Sequence, residues 1–458
     1  MKRICLCCLL IAASVRADDA LDAMKQQMQQ LQQQMQELQE KMRALEASRT
    51  SAPPAAVAET APTSPPPVAT RPAWSPTQPM TLMSTPGGQA YMNLSFVADM
   101  VVGSSTDPDP EQLFSAHHDP HQRGFNLTAA ELTLDGAIDP YFKGQSTITL
   151  VLEPDSETVT ELEEAWLQTT SLPWDLQVKA GQFMANFGRM NAQHPHAWDF
   201  VTAPVVLTRM FGDDGLRNPG AQVSWLAPTP FYTELMLGVL NGGGSTAYSF
   251  RSDSGATDIA GGNPNNSGVA SLSDMLYVPR IVTSFDLTDQ QTLVLGASGA
   301  LGANSSGSDG WTSIAGGDAY WKWRPANAQQ GWPFVSAQSE VMYRWYKAAQ
   351  RISAADGTTV LPEETFRNWG MYAQLLWGFR PHWIAGFRGE YAAGDTGSSD
   401  DNLRCDRARL TPDLTFLPTE FSKLRLEYDY DHRVGIGDDH SVWLQMEFVL
   451  GAHGAHKF

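Results

Sequence analysis

Past its first twenty residues the chain has no apolar run long enough to cross a bilayer as a helix, so a helical membrane protein is excluded. Basic charge is scarce as well. Only 31 Lys and Arg stand against 50 Asp and Glu in 458 residues, a formal charge of −19, which argues against holding nucleic acid by its phosphates. Charged residues of both signs amount to 18%, while 38 Gly, 29 Pro and 14 Trp are present, a balance unlike that of a cytosolic α/β enzyme. Cysteine is nearly missing: of four, Cys5, Cys7 and Cys8 crowd the extreme N-terminus, leaving Cys405 alone in the rest of the chain. Should the three N-terminal cysteines leave with an export signal, the one remaining thiol excludes an internal disulfide.

What is present at the N-terminus reads as an export signal over 1–17. Lys2 and Arg3 precede an apolar run from Ile4 to Ala13, and Val15 and Ala17 occupy the −3 and −1 positions before Asp18. Cleavage there removes Lys2, Arg3 and Arg16, three positive charges, and takes the formal charge from −19 to −22. The exported product is then an acidic envelope protein.

Residues 18–47 carry apolar side chains at Leu21, Met24, Met28, Leu31, Met35, Leu38, Met42 and Leu45, in alternating steps of three and four. This is a heptad seam, and it predicts an oligomerising coiled coil roughly 40 Å long. Residues 48–89 switch to Pro, Ala, Thr and Ser, with Pro53-Pro54 and Pro65-Pro66-Pro67. Such a composition buries no core and makes an extended tether on the order of 100 Å.

From residue 90 to 458 the dominant period is two. Leu424, Leu426, Tyr428 and Tyr430 alternate with Lys423, Arg425, Glu427, Asp429 and Asp431, and comparable runs surround Trp383–Tyr391 and Arg407–Phe416. A soluble sandwich also alternates; the connections separate the two. Seven short turns alternate strictly with eight longer polar connections, among them 103–123, 184–219, 241–276 and 393–406. The expected fold is therefore an all-β membrane protein, an antiparallel outer-membrane β-barrel of about sixteen strands preceded by the coiled-coil helix. Trp321, Trp323, Trp332, Trp345, Trp369, Trp377, Trp383 and Trp443 fall near strand ends, as interfacial girdles require. Glu161, Glu163 and Glu164 cannot all face the lumen of a regular strand, and imply a bulge or an interfacial position.

A barrel of this size leaves a channel. Lys322, Arg324, Arg344, Arg388, Arg407, Arg409, Lys423 and Arg425, with Glu340, Glu390, Asp413, Glu427 and Asp429, are expected to line it and to set up a transverse field. The 184–219 connection is long enough to fold inward as a constriction. Within it His194, His196 and Asp199 form one candidate metal-holding group, and His117, His118 and His121 in the first long loop form another. Packing and hydrogen bonding within the loops are the alternative roles for these histidines. No cofactor is expected; zinc enters as a transported or loop-bound ion. Expected partners are outer-membrane lipid, two further copies in a parallel homotrimer, and periplasmic or cell-wall contacts of the coil.

Several of these segments together resemble a known family. Arg123-Gly124-Phe125, Glu161-Leu162-Glu163-Glu164-Ala165, Gly181-Gln182-Phe183, the run Gln193 to Phe200, Asp213-Asp214-Gly215, Trp225-Leu226-Ala227-Pro228, the Phe421–Leu426 strand and the closing Leu450–Phe458 look like the outer-membrane barrels labelled zinc-regulated outer-membrane receptors. The resemblance implies a porin-like transport protein tied to zinc or other metal supply, related to phosphate-selective and siderophore porins. No plug domain or energy-coupling box accompanies it, so diffusion rather than driven uptake is the expected mode. A structural anchor or adhesin tethered by the coil is the second reading. An outer-membrane hydrolase is the third, and no nucleophile motif supports it.

Overall fold

The structure is a computed structural model. It describes residues 80–451, except 86–87, 89, 153–156, 252–258, 265–268 and 396–405. The export signal, the coiled coil, nearly all of the proline tether, Cys405 and the terminal Phe458 lie outside the described residues.

Among the described residues sixteen long strands follow one another as antiparallel neighbours. They are β1 (Tyr91–Ser105), β2 (Gly124–Ala137), β3 (Phe142–Leu152), β4 (Thr158–Thr169), β5 (Leu176–Met184), β6 (Arg217–Leu226), β7 (Tyr232–Asn241) and β8 (Met275–Thr288). Then come β9 (Gln291–Ala303), β10 (Trp311–Trp323), β11 (Phe334–Ala348), β12 (Glu364–Arg380), β13 (Trp383–Gly394), β14 (Arg407–Thr419), β15 (Ser422–Arg433) and β16 (Gly437–Leu450). The last strand pairs with the first, from Ser441↔Ser105 to Leu450↔Phe96, so the sheet closes into a cylinder without open edges. Where β16 ends, a short strand, Met80–Ser84, continues along β1 with Met80 opposite Leu94 and Ser84 opposite Tyr91. It falls inside the segment whose composition suggests only a tether. Its sequence, Met-Thr-Leu-Met-Ser, lacks proline, so each of its residues carries an N–H for the ladder.

Burial is inverted relative to a soluble protein. Along β15 the charged positions Lys423, Arg425, Glu427, Asp429 and Asp431 are buried, while Leu426 is 51% exposed. Along β12, Met371, Leu375 and Trp377 face out and Tyr372 and Gln374 face in. Apolar side chains outside and ionic ones inside are what a lipid-embedded barrel requires. The bulge implied at Glu161–Glu164 is present: Thr147 pairs with Glu164 and Ile148 with Leu162, which leaves Glu163 as the extra residue. Because of it Glu163 and Glu164 are buried together while Leu162 and Leu167 remain exposed outside.

One girdle assignment is corrected. Trp443 has the inward parity of β16, between outward Val442 and Leu444, and is fully buried edge-on against Phe114 at 5.7 Å. Residues 90–458 also contain a helix that period two gives no reason to expect, α1 (Val205–Phe211), in the long third connection.

Candidate functional site

The connection from β5 to β6, residues 185–216, lies inside the barrel. An irregular segment in that position has backbone donors and acceptors without a ladder, and each must find a partner. Side chains of the wall supply them. Glu427 accepts hydrogen bonds from the amides of Val201 at 2.6 Å and Thr202 at 3.2 Å, and from the Thr202 hydroxyl at 3.0 Å. Arg388 donates to the Thr202 carbonyl at 2.7 Å and its hydroxyl at 2.8 Å. Glu390 accepts from the Val205 amide at 2.6 Å and thereby caps α1, whose own N-cap, Pro204, offers no side-chain acceptor. Lys423 donates to the His196 carbonyl, Arg425 to that of Trp198 and Arg344 to that of Arg209, at 3.0, 3.1 and 2.9 Å. Glu340, on the strand that carries Arg344, accepts from the Met190 amide at 2.8 Å.

The first long loop joins the same assembly. Asp119 accepts from the amides of Ala203 at 2.8 Å and Ala116 at 3.2 Å, stapling it to the third. Arg407 and Arg409 both donate to the Leu113 carbonyl and both pair with Asp431.

The expected ladder of pore-lining charges is therefore inside the barrel, but Arg344, Arg388, Glu390, Arg407, Arg409, Lys423, Arg425 and Glu427 are buried against inserted backbone rather than open to water. The physical reason is that an irregular loop in a barrel needs strong donors and acceptors, and the wall's ionic side chains are the ones within reach. Lys322 keeps partial exposure above the Phe334 ring, and Arg324 lies beyond the end of β10 in an exposed turn.

Apolar packing completes the insertion. Phe187, Met190, Trp198, Val206, Met210 and Phe211 join inward residues such as Leu240, Val278, Ile314 and Met342 in one buried cluster. Two wall glycines make the seats. A Cβ on Gly316 would stand 2.7 Å from the Phe187 ring, and one on Gly370 would stand 2.8 Å from Val206. On the short-turn side of this plug the lumen stays open as a cavity of about 990 Å³, bounded chiefly by β2–β9. Asp135, Glu164 and Glu234 line it together with Lys143, Lys179, Arg189 and Arg280.

Between plug and wall the two histidine groups of the sequence converge, without all of their members. His118 sets Nδ1 at 2.8 Å from the Thr128 carbonyl and Nε2 at 3.0 Å from Glu163. His194 spans two carboxylates, with Nδ1 2.9 Å from Glu163 and Nε2 3.1 Å from Glu164. His196 places Nδ1 2.9 Å from Glu131, whose same oxygen is 3.9 Å from His194 Nδ1. All six residues are buried. Burial opposes charging His118, yet the hydrogen bond and charge of Glu163 override it and raise the imidazole to about 9. The same contest, with Glu163 and Glu164, holds His194 well above its ordinary value. For His196 burial wins, reinforced by His194, and the ring is pushed down to about 3.

Asp199 does not join this cluster. It is directed to β12, where it accepts from Gln374 at 2.7 Å. His117 pairs instead with Asp214 at 3.1 Å, and His121 contacts the Ala116 carbonyl at 2.9 Å. Glu131, Glu163 and Glu164 complete the cluster in their place. The sequence signal for the last two was the misfit of three glutamates in one strand; Glu131 gave none, being one more inward residue of β2.

Comparison with known proteins places the chain. No family profile matches it. An uncharacterized protein of Aquifex aeolicus (strain VF5) is 33% identical over 366 residues, spanning 74% of this chain and 71% of that one. The two belong to one family. For the family's fold, the outer-membrane channel DcaP of Acinetobacter baumannii superposes with a TM-score of 0.51 at 14% identity, covering 80% of this chain and 99% of that one. An anion-selective porin from Comamonas acidovorans gives a TM-score of 0.49 at 8% identity, over 79% and 100% of the two chains. The family fold is thus a porin-like outer-membrane barrel of sixteen antiparallel strands.

Proposed function

We propose that the protein is an outer-membrane channel through which small solutes diffuse, with passage limited by the inserted 185–216 loop. The observation that carries this reading is the cavity of about 990 Å³, lined by both signs of charge and lying directly beneath that loop. Sixteen-stranded barrels have room for an aqueous path, and a loop held by side chains narrows it without abolishing the wall. On this reading Lys322, Arg324 and the cavity's own ionic side chains meet the solute, while the buried arginines and glutamates of β11–β15 position the constriction. Supply of zinc or another divalent metal is the finer reading. The converging imidazoles and carboxylates support it. A parallel trimer through the 18–47 heptads is the proposed assembly, since barrels inserted in one direction present their coils on one side.

A closed anchor is the second reading, favoured by the apolar cluster that fills the lumen around α1. Purified protein in planar bilayers separates the two. The channel reading expects discrete conductance steps that grow when residues 188–211 are replaced by a short linker. Silence of both the parent and the shortened protein would leave the anchor.

A further inference from the structure

The cluster between the third loop and the wall has more order than a set of buried ion pairs needs. We propose that it binds one divalent transition-metal ion through Glu131, Glu163, His194 Nδ1 and His196 Nδ1. The inference deepens the channel reading by naming a cation class, but it stands on the cluster's own geometry.

Four ligands at about 2.0–2.1 Å in a tetrahedron lie roughly 3.3 Å from one another. The candidate atoms bracket that spacing in sequence: Glu163 Oε2 to His194 Nδ1 is 2.9 Å, His194 Nδ1 to Glu131 Oε2 is 3.9 Å, and Glu131 Oε2 to His196 Nδ1 is 2.9 Å. Ligand oxygens and nitrogens from Glu131, Glu163 and His194 already lie within 4.8 Å of one another; His196, with Nδ1 2.9 Å from Glu131, stands outside that group and closes on it when the ion binds. Pro195 opens a 3₁₀ turn over Pro195–Ala197 that keeps the imidazoles of His194 and His196 side by side, with ring centres 5.7 Å apart.

The surrounding groups are arranged as metal ligands require. Glu164 receives Nε2 of His194 at 3.1 Å, which fixes the tautomer with Nδ1 free to coordinate once its proton is released to solvent. His118, anchored to the Thr128 carbonyl, holds the other oxygen of Glu163 at 3.0 Å and aims the carboxylate inward. Two imidazoles and two carboxylates suit zinc and its neighbours; Ca²⁺ and Mg²⁺ prefer all-oxygen shells with more ligands. His194 and Glu164 also border the large cavity, so the ion has a route to water.

The test uses the full chain, purified in detergent and stripped with chelator. Equilibrium dialysis with ZnCl₂ should show a saturable site that survives excess Mg²⁺ and Ca²⁺. E131Q/H194Q should bind one ion fewer per chain, and E164Q should keep the ion with affinity lowered about 10–100-fold. Heat-modified electrophoretic mobility reports whether each variant still forms a barrel. Should the double variant fail to fold, CoCl₂ added to the parent decides: a tetrahedral site gives strong visible absorption that Zn²⁺ bleaches. Equal zinc binding by a folded double variant, or no cobalt band in the parent, would overturn the proposal. Neither readout depends on conductance, so a protein that binds zinc yet passes no current refutes the channel reading alone.

Discussion

The two halves of the barrel's interior use the same alternation for different ends. Along β11–β15, Arg344, Arg388, Glu390, Arg425 and Glu427 are spent on the backbone of the inserted loop and have almost no contact with water. Along β2–β8, Asp135, Lys143, Lys179 and Glu234 border an open cavity. Nothing in the residue types distinguishes the halves. What differs is whether irregular backbone lies opposite, because an orphan amide or carbonyl recruits the nearest ionic side chain and removes it from the water path.

The contrast is broken most severely by Glu427→Ala. It strands three donors at Val201 and Thr202, and should cost about 3–5 kcal/mol in a denaturant titration of the folded barrel. Bilayer conductance should rise as the loop loosens; unchanged stability would show that the loop is held by packing alone. Gly370→Leu attacks that packing by occupying the Val206 seat, with an expected loss of about 1–3 kcal/mol and the same increase in step size. On the open side, exposed Lys143→Glu should leave stability within about 0.5 kcal/mol, yet move the reversal potential in a salt gradient toward cations. A reversal potential that did not move would remove the cavity from the ion path.

The smallest effect is expected from the His117–Asp214 pair. Burial disfavours the charged form of His117, but its bond to Asp214 outweighs this and raises the imidazole above its ordinary 6.5. The pair's stabilisation is therefore complete below about pH 6.5 and fades as pH climbs through the raised value. In chelated protein the thermal midpoint should fall as pH rises, mostly through His118 and His194, and Asp214→Asn should remove only the small share that belongs to His117.

Much of the wall was legible in the amino-acid order. Period two with alternating short and long connections led to the sixteen strands now observed, and the awkward glutamates at 161–164 led to the bulge. The interior was less readable. That Leu113 receives two arginines, or that Asp199 goes to Gln374, depends on how loops far apart in sequence settle against strands. His118 and His194 meet across Glu163 for the same reason, and local spacing carries no trace of it. Trp443 lies near a strand end, as a girdle residue does, but its inward parity decides its surroundings.

The seam between Ser441–Leu450 and Phe96–Ser105 has a consequence for biogenesis. Because β1 and β16 are neighbours though far apart in sequence, the wall has two raw margins until they meet. A polypeptide cut short before Gly437 would carry both margins into hydrocarbon, where bare peptide groups find no water. Such fragments should be rejected at assembly rather than persist as smaller pores.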